Sequence, residues 1–281
     1  MIAQLEQIRE QQKQSWNKFS SGWKKWDAFT MDFLHPMGEA LINSLQLKNT
    51  DVVLDIAAGT GEPGISIADR VPNGKVVGTD LAEDMLMIAR TNADAKGLKN
   101  YETVVADVSE LPFKSETFDA ISCRMGFMFF PDMQMAAREM YRVLKPGGRI
   151  STAVWGLPDR NNWVTTIMSV IQKYVELPAP IPDAPGMFRC GSPGFMAGLF
   201  NQSGFKNIAE KSISGKVDYQ SFERYWEIMM DVAAPIVAAM AEATDLTKDK
   251  IKKEVAELFY SRNKTGEATL DYAALIIYAE K

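Results

Sequence analysis

Apolar residues in the first fifty positions recur at steps of three and four. Trp16, Phe19, Trp23, Trp26, Phe29 and Phe33 follow that spacing, which predicts one helical face lined with aromatic rings. The period changes at residue 51. Short apolar runs at 51–57, 74–80, 101–107, 118–124 and 149–155 read as strands of the kind a buried parallel sheet contains. Between them, 63–71, 83–97 and 133–144 carry helical spacing, with Met85, Ile88 and Ala89 on one face and Pro63 near a first turn, where its missing N–H does little harm. Pro146-Gly147-Gly148 predicts a turn before the fifth strand. Beyond 155 the spacing predicts helices over 161–177, 193–203, 221–242 and 246–262, strands over 206–219 and 268–281, and a proline-rich loop at 176–186.

Strands alternating with helices predict an α/β fold: a doubly wound, mostly parallel sheet with helices on both faces. The expected organisation is a helical N-terminal lid over 1–46 and a ligand-binding core over 47–156. Residues 157–281 then supply the remaining strands and helical insertions of the same domain. Ligands of such sheets bind outside the carboxyl ends of the strands, so the last residue of each strand and the loop after it are the positions of interest.

Composition narrows the function. The chain has 281 residues, 46% hydrophobic and 24% charged, with a formal net charge of -5 and a pI near 5.2. That balance argues against a dedicated nucleic-acid binder, which needs a basic face to displace counterions. Two cysteines, Cys123 and Cys190, neither in a C-x-x-C, and one histidine argue against a structural zinc site. Few cysteines fit a reducing cytoplasm. The polar, charged start does not resemble a signal peptide, and no apolar run is long enough to span a bilayer.

The segment LDIAAGTGEPG (54–64) contains Gly59-x-Gly61-x-x-Gly64. Alone, that spacing serves a dinucleotide or another adenosine-bearing cofactor. Its surroundings say more. Asp55 lies four residues before Gly59, Asp80 ends the second strand, and Asp107 ends the third. Leu111-Pro112-Phe113 follows, and RVLKPGG (142–148) precedes the fifth strand. Taken in order, these pieces resemble the class I S-adenosylmethionine-dependent methyltransferases, in the group that includes the quinone-biosynthesis C-methyltransferases. The resemblance is dense over 51–155 and looser over the aromatic N-terminal segment.

That resemblance implies a Rossmann-like fold, S-adenosylmethionine as cofactor, S-adenosylhomocysteine (SAH) as product, and no metal. It implies that Ala57, Ala58, Gly59, Thr60 and Gly61 form the cofactor loop, with Ala57 where the family most often has glycine. Asp80 would take the ribose hydroxyls, and Leu81 and Met85 would cover the adenine. Asp107 would accept from the adenine amino group, and the Val108 N–H would donate to a ring nitrogen. Asp55 and the carbonyl of Arg124, with Met125 beside it, would place the methionine ammonium. Gly64 reads as a close-packing position.

The implied reaction is a direct displacement on the sulfonium methyl. His35, the one histidine, is the candidate general base where the acceptor must lose a proton; an amine of low pKa needs none. After the fourth strand, CRMGFMFFPD (123–132) lacks the Asn/Asp-Pro-Pro-aromatic tetrad of adenine and glutamine N-methyltransferases, which favours a small molecule over nucleic acid. Segments 156–205 and 220–265 are where this family builds its acceptor pocket, and Trp26, Phe127 and Trp155 are the aromatics expected near the transferred methyl. An apolar or aromatic acceptor is expected, the atom methylated and the oligomeric state being left open. Two alternatives stand beside this: a SAM-binding regulator without catalysis, and an NAD-dependent oxidoreductase on the same sheet.

Overall fold

A computed structural model describes residues 2–177, 184–263 and 267–281. Five strands are parallel: β1 (Val52–Ile56), β2 (Lys75–Asp80), β3 (Tyr101–Val105), β4 (Phe118–Arg124) and β5 (Leu144–Trp155). β6 (Lys206–Asp218) and β7 (Thr269–Glu280) complete the sheet in antiparallel pairings. The order across it is β3-β2-β1-β4-β5-β7-β6. The chain builds outward from β1 through β2 to β3, then crosses back to lay β4 on the other side of β1. The reversal between β1 and β4 is the topological switch point, where the two connecting loops diverge and leave a crevice.

Helices α3 (Gly64–Arg70), α4 (Glu83–Ala95) and α5 (Met133–Val143) link the parallel strands. They cover both faces, and Val53, Leu54, Asp55 and Ile56 of β1 are all buried. Consecutive burial of this kind requires the largely apolar run that the sequence carries, with Asp55 its one charged member. The α/β expectation therefore holds in class and in strand placement.

Three local expectations change. β5 begins at Leu144, opposite Phe118, and resumes with Arg149 near Ala120. The Pro-Gly-Gly segment is thus an irregularity inside a strand, with Gly147 at φ 74°, a conformation glycine adopts without a Cβ penalty. The aromatic stripe is shared by two helices, α1 (Ile2–Lys25) and α2 (Asp27–Leu45), which meet at Trp26. Pro36 lies inside α2. The expected helix over 221–242 is α8 (Phe222–Val232) and α9 (Ala234–Ala241), broken at Ala233 with Pro235 in the new first turn, where proline's fixed φ is tolerated. Of the proline-rich loop, residues 178–183 lie outside the described residues.

The remaining helices are α6 (Asn162–Tyr174), α7 (Phe195–Gln202) and α10 (Asp245–Arg262). α2 docks on the sheet through Leu34, Met37, Leu41, Ile42 and Leu45, all buried. α1 instead lies against α8. At Gly22 the backbones come so close that an added Cβ would stand 2.1 Å from the Asp231 carbonyl oxygen. The Asp231 carboxylate accepts from Lys25 Nζ at 2.7 Å and from Trp26 Nε1 at 2.8 Å. The N-terminal helices and α8 therefore form one cover over the carboxyl ends of the strands.

Candidate functional site

A cavity of about 470 Å³ lies beneath this cover, at the carboxyl ends of the parallel strands. β1 leads into it through Ala57 and Gly59, at φ 54° each. The left-handed region costs a non-glycine residue roughly 1–2 kcal/mol, a cost that glycine at position 57 would avoid. Met125, just past β4, is also left-handed, at φ 61°. Both residues line the cavity, so two of the left-handed non-glycine residues sit where the two central strands end.

Each glycine of the loop is required for a different reason. A Cβ on Gly59 would meet nothing within 4 Å, so this position is open. One on Gly61, at φ 116°, would stand 2.5 Å from Ile65 Cδ1. One on Gly64 would stand 2.7 Å from Asp55 Oδ2 and 2.9 Å from Tyr101 Cε2, so Gly64 is a packing position.

Asp80 ties the loop to β2. Its Oδ2 accepts the Gly59 N–H at 3.0 Å and its Oδ1 accepts the Ala82 N–H at 2.9 Å. Each carboxylate oxygen keeps a further lone pair, and the residue lines the cavity. Burial pushes this carboxyl up, against the backbone donors that hold it down. At the end of β3, Asp107 Oδ1 accepts the Ser109 N–H at 2.8 Å, while Oδ2 is ion-paired with Arg9 Nε of α1 at 2.7 Å.

Asp55 is fully buried beneath the loop and is not on the cavity wall. Ser122 Oγ donates to its Oδ1 at 2.6 Å and the Gly64 N–H to its Oδ2 at 3.0 Å. Burial raises its carboxyl to about 7, opposed chiefly by the Ser122 hydrogen bond. Asp55 thus joins β1, β4 and the first turn of α3.

Ala58, Thr60, Leu81, Met85, Val108 and Arg124 also line the cavity, as does Trp155. Gly61 lies behind the loop. Trp26 points to Asp231 instead, and Phe127 is buried against Phe130 and Phe200 in the core. His35 is exposed on α2 and is not on the cavity wall. Among the described residues no group of three His, Cys, Asp or Glu is placed to hold a metal ion.

The other end of the cavity is aromatic. Phe33 of α2 stacks on Trp155 at 5.6 Å between centroids and meets Trp163 of α6 edge-on at 5.4 Å. Phe29 packs on Tyr219 at 5.3 Å, and Ile228 and Met229 of α8 close the side. The charged residues of the lining are Arg9, Glu62, Asp80, Asp107 and Arg124, all at the loop end. The aromatic end holds one titratable group, Tyr219, whose phenol burial drives well above its ordinary value.

Sequence reasoning placed a lid over 1–46 but named no site residue before Trp16, yet Arg9, Gln12 and Ser15 line the cavity. The only available signal was their register with the Trp16–Trp23 face. Glu62 and Trp163 were likewise not foreseen.

Comparison with known proteins agrees with this geometry. The model of a family described as "Methyltransferase domain" matches residues 53–148. A demethylmenaquinone methyltransferase of Thermus thermophilus is 45% identical over 98 residues, 35% of this chain and 44% of that protein; this chain thus matches under half of that relative's length. A demethylmenaquinone methyltransferase of Listeria monocytogenes is 32% identical over 184 residues, 60% of this chain and 75% of that protein. Among solved structures, YcgJ protein from Bacillus subtilis superposes with a TM-score of 0.60 at 21% identity, covering 88% of this chain and 98% of that one.

Proposed function

This chain belongs to the class I S-adenosylmethionine-dependent methyltransferases, and from that premise we propose that its methyl acceptor is a small, flat, largely apolar aromatic molecule. One observation carries the reading. The same cavity opens on the 57–60 loop and the Asp80 carboxylate at one end, and on Phe33, Trp155 and Trp163 at the other.

The residues present fit the cofactor. Asp80 has lone pairs free for the two ribose hydroxyls, and Gly59 leaves the space beside it open. Leu81 and Met85 supply the apolar faces for the adenine, and Asp107 with the Val108 backbone supplies its polar edge. Asp55 acts through the turn as a positioning residue: both of its oxygens are engaged by Ser122 and Gly64. The bound cofactor supplies an electrophilic methyl on a sulfonium.

What the chain contributes to the transfer is orientation and exclusion of water. Holding both reactants in line in a closed site can supply several kcal/mol of the barrier, and ring faces such as Trp155 favour a nearby cation. Tyr219 is neutral at physiological pH and serves as a hydrogen-bond partner, not a base. His35 lies outside the cavity and takes no part. An acceptor at this end therefore brings its own acidity, as a phenol, enol or quinol does, or is an amine that needs no base. A quinol-type ring is in keeping with the names of the relatives above. We place the activity in the cytoplasm on the sparse cysteine content; among the described residues no helix is long and apolar enough to cross a membrane.

The test is calorimetric titration with SAH and with NADH, followed by an SAH-release screen over quinols, phenols and amines. SAH binding without NADH binding, and turnover confined to aromatic acceptors, is expected. Binding of NADH alone, or turnover only with aliphatic polar acceptors, would sink the assignment.

A further inference from the structure

Arg124 ends β4 and lines the cavity, yet among the described residues its guanidinium has no ion-pair partner. None of the ion pairs among the described residues includes it. Its one polar contact is Nη2 to Met31 Sδ at 3.8 Å. Nη1 lies against α2, 3.7 Å from where a Gly38 Cβ would stand.

Of the three nearby carboxylates, two are committed elsewhere and none is paired with Arg124. Glu62 Oε1 is paired with Lys96 at 3.2 Å and Oε2 accepts the Ser66 N–H at 3.1 Å. Asp55 is held by Ser122 and Gly64. Asp27 lies toward Thr60 and Asn92, is not paired with Arg124, and keeps its Oδ1 buried without a hydrogen-bond partner. These groups supply a favourable field to Arg124, and burial still pulls its guanidinium below the ordinary value. A cation withdrawn from water without a partner is costly, and a guanidinium is a planar fork whose donors match a carboxylate in pairs.

We propose that the Arg124 side chain is an oxyanion site, taking a carboxylate-class group of a ligand bound in the cavity. The proposal rests on the methyltransferase reading above and adds a role for the side chain. The methionine carboxylate of the cofactor is the nearer source. β1 and β4 pair in register at Asp55 and Ser122, so Arg124 ends its strand beside Ala57, the first residue of the cofactor loop. An oxyanion on the acceptor has the same chemistry, because Phe29, Phe33 and Leu34 bring α2 past Arg124 into the aromatic end.

The experiment compares SAH with S-adenosyl-3-thiopropylamine, which lacks only the carboxylate, by calorimetry on wild type and Arg124→Met. Wild type is expected to prefer SAH. Arg124→Met should bind SAH roughly tenfold to a hundredfold more weakly and the decarboxylated analogue as before, so that the preference disappears. If the preference survives, 2-naphthoate is titrated onto the SAH complexes; weakening confined to Arg124→Met then assigns the site to an acceptor oxyanion. Unchanged affinity for both SAH and 2-naphthoate in Arg124→Met overturns the proposal. Absence of SAH binding by the wild type would instead overturn the cofactor reading beneath it. Arg124→Gln, which keeps polar atoms in the cavity, repeats the comparison should the methionine variant not fold.

Discussion

The Asp80 carboxylate accepts the backbone N–H of Gly59 at 3.0 Å, so the end of β2 clamps the turn that follows β1. One side chain both shapes the loop and faces the cavity. Asp80→Ala removes the clamp and the proposed ribose acceptor together. A hydrogen bond to a charged group is worth about 1.5–3 kcal/mol, and SAH affinity should fall roughly tenfold to a hundredfold by calorimetry. An Asp80→Ala protein that binds SAH as wild type does would remove the ribose assignment.

The loop glycines should separate by readout. Gly59→Val places a branched side chain in open cavity space at φ 54° and should abolish SAH binding in a folded protein. The short contacts at Gly64 make Gly64→Ala a packing change in place of a binding one. Its Cβ meets Asp55 and Tyr101 below 3.0 Å, so the cost should appear as lost stability, about 1–3 kcal/mol as for other overpacked cores. Thermal melts of both variants, with and without SAH, make the distinction. A Gly64→Ala melting temperature equal to wild type would contradict the packing assignment.

Ala57→Gly should be neutral or stabilising. It relieves a left-handed alanine at φ 54°, while the added freedom of glycine in the unfolded chain takes back about 0.4–1 kcal/mol. A clear loss of stability in urea titration would mean that the Ala57 methyl packs more than its backbone strains.

Asp55 predicts a pH dependence with a definite sign. Burial lifts its carboxyl from 3.8 to about 7 in the folded chain. Between those values the native state holds a proton that the unfolded state has released, so raising the pH favours unfolding. The contribution is full near pH 4 and lost as pH rises through about 7. Asp55→Asn cannot titrate and should lose this slope. Urea midpoints measured from pH 4.5 to 8 should therefore fall for wild type relative to the variant. Parallel profiles would show that Asp55 stays ionised throughout.

The cover over the cavity should tighten with ligand. α1 reaches β3 through the Arg9–Asp107 ion pair at 2.7 Å and α8 through Asp231. Such segments open more readily than the sheet beneath them. SAH should slow amide exchange over 16–33 as well as 57–62, and deletion of 1–30 should impair transfer more than sheet folding. Exchange over 16–33 that ignores SAH while 57–62 is protected would reduce the aromatic stripe to packing.

Strand and helix positions were legible in the sequence because each element's period reports its own burial. Five apolar runs and the helices between them dictate a parallel sheet, and a sheet of that kind dictates where a loop such as 57–61 must lie. Chemistry that depends on neighbours in sequence was legible too, as in the Asp55-to-Gly61 segment. Tertiary docking decided the rest. Nothing local says that Arg9 meets Asp107, some hundred residues away, or that Trp26 turns to Asp231. The same holds for His35, which faces out of the cavity because α2 buries Leu34, Met37 and Leu41 instead. Phe127 and Trp155 are both large aromatics after parallel strands, yet Phe127 packs on Phe200 and Trp155 faces Phe33. Burial pattern fixes which face of an element is covered; which partner covers it, and whether a cavity remains between them, follows only from how the elements pack.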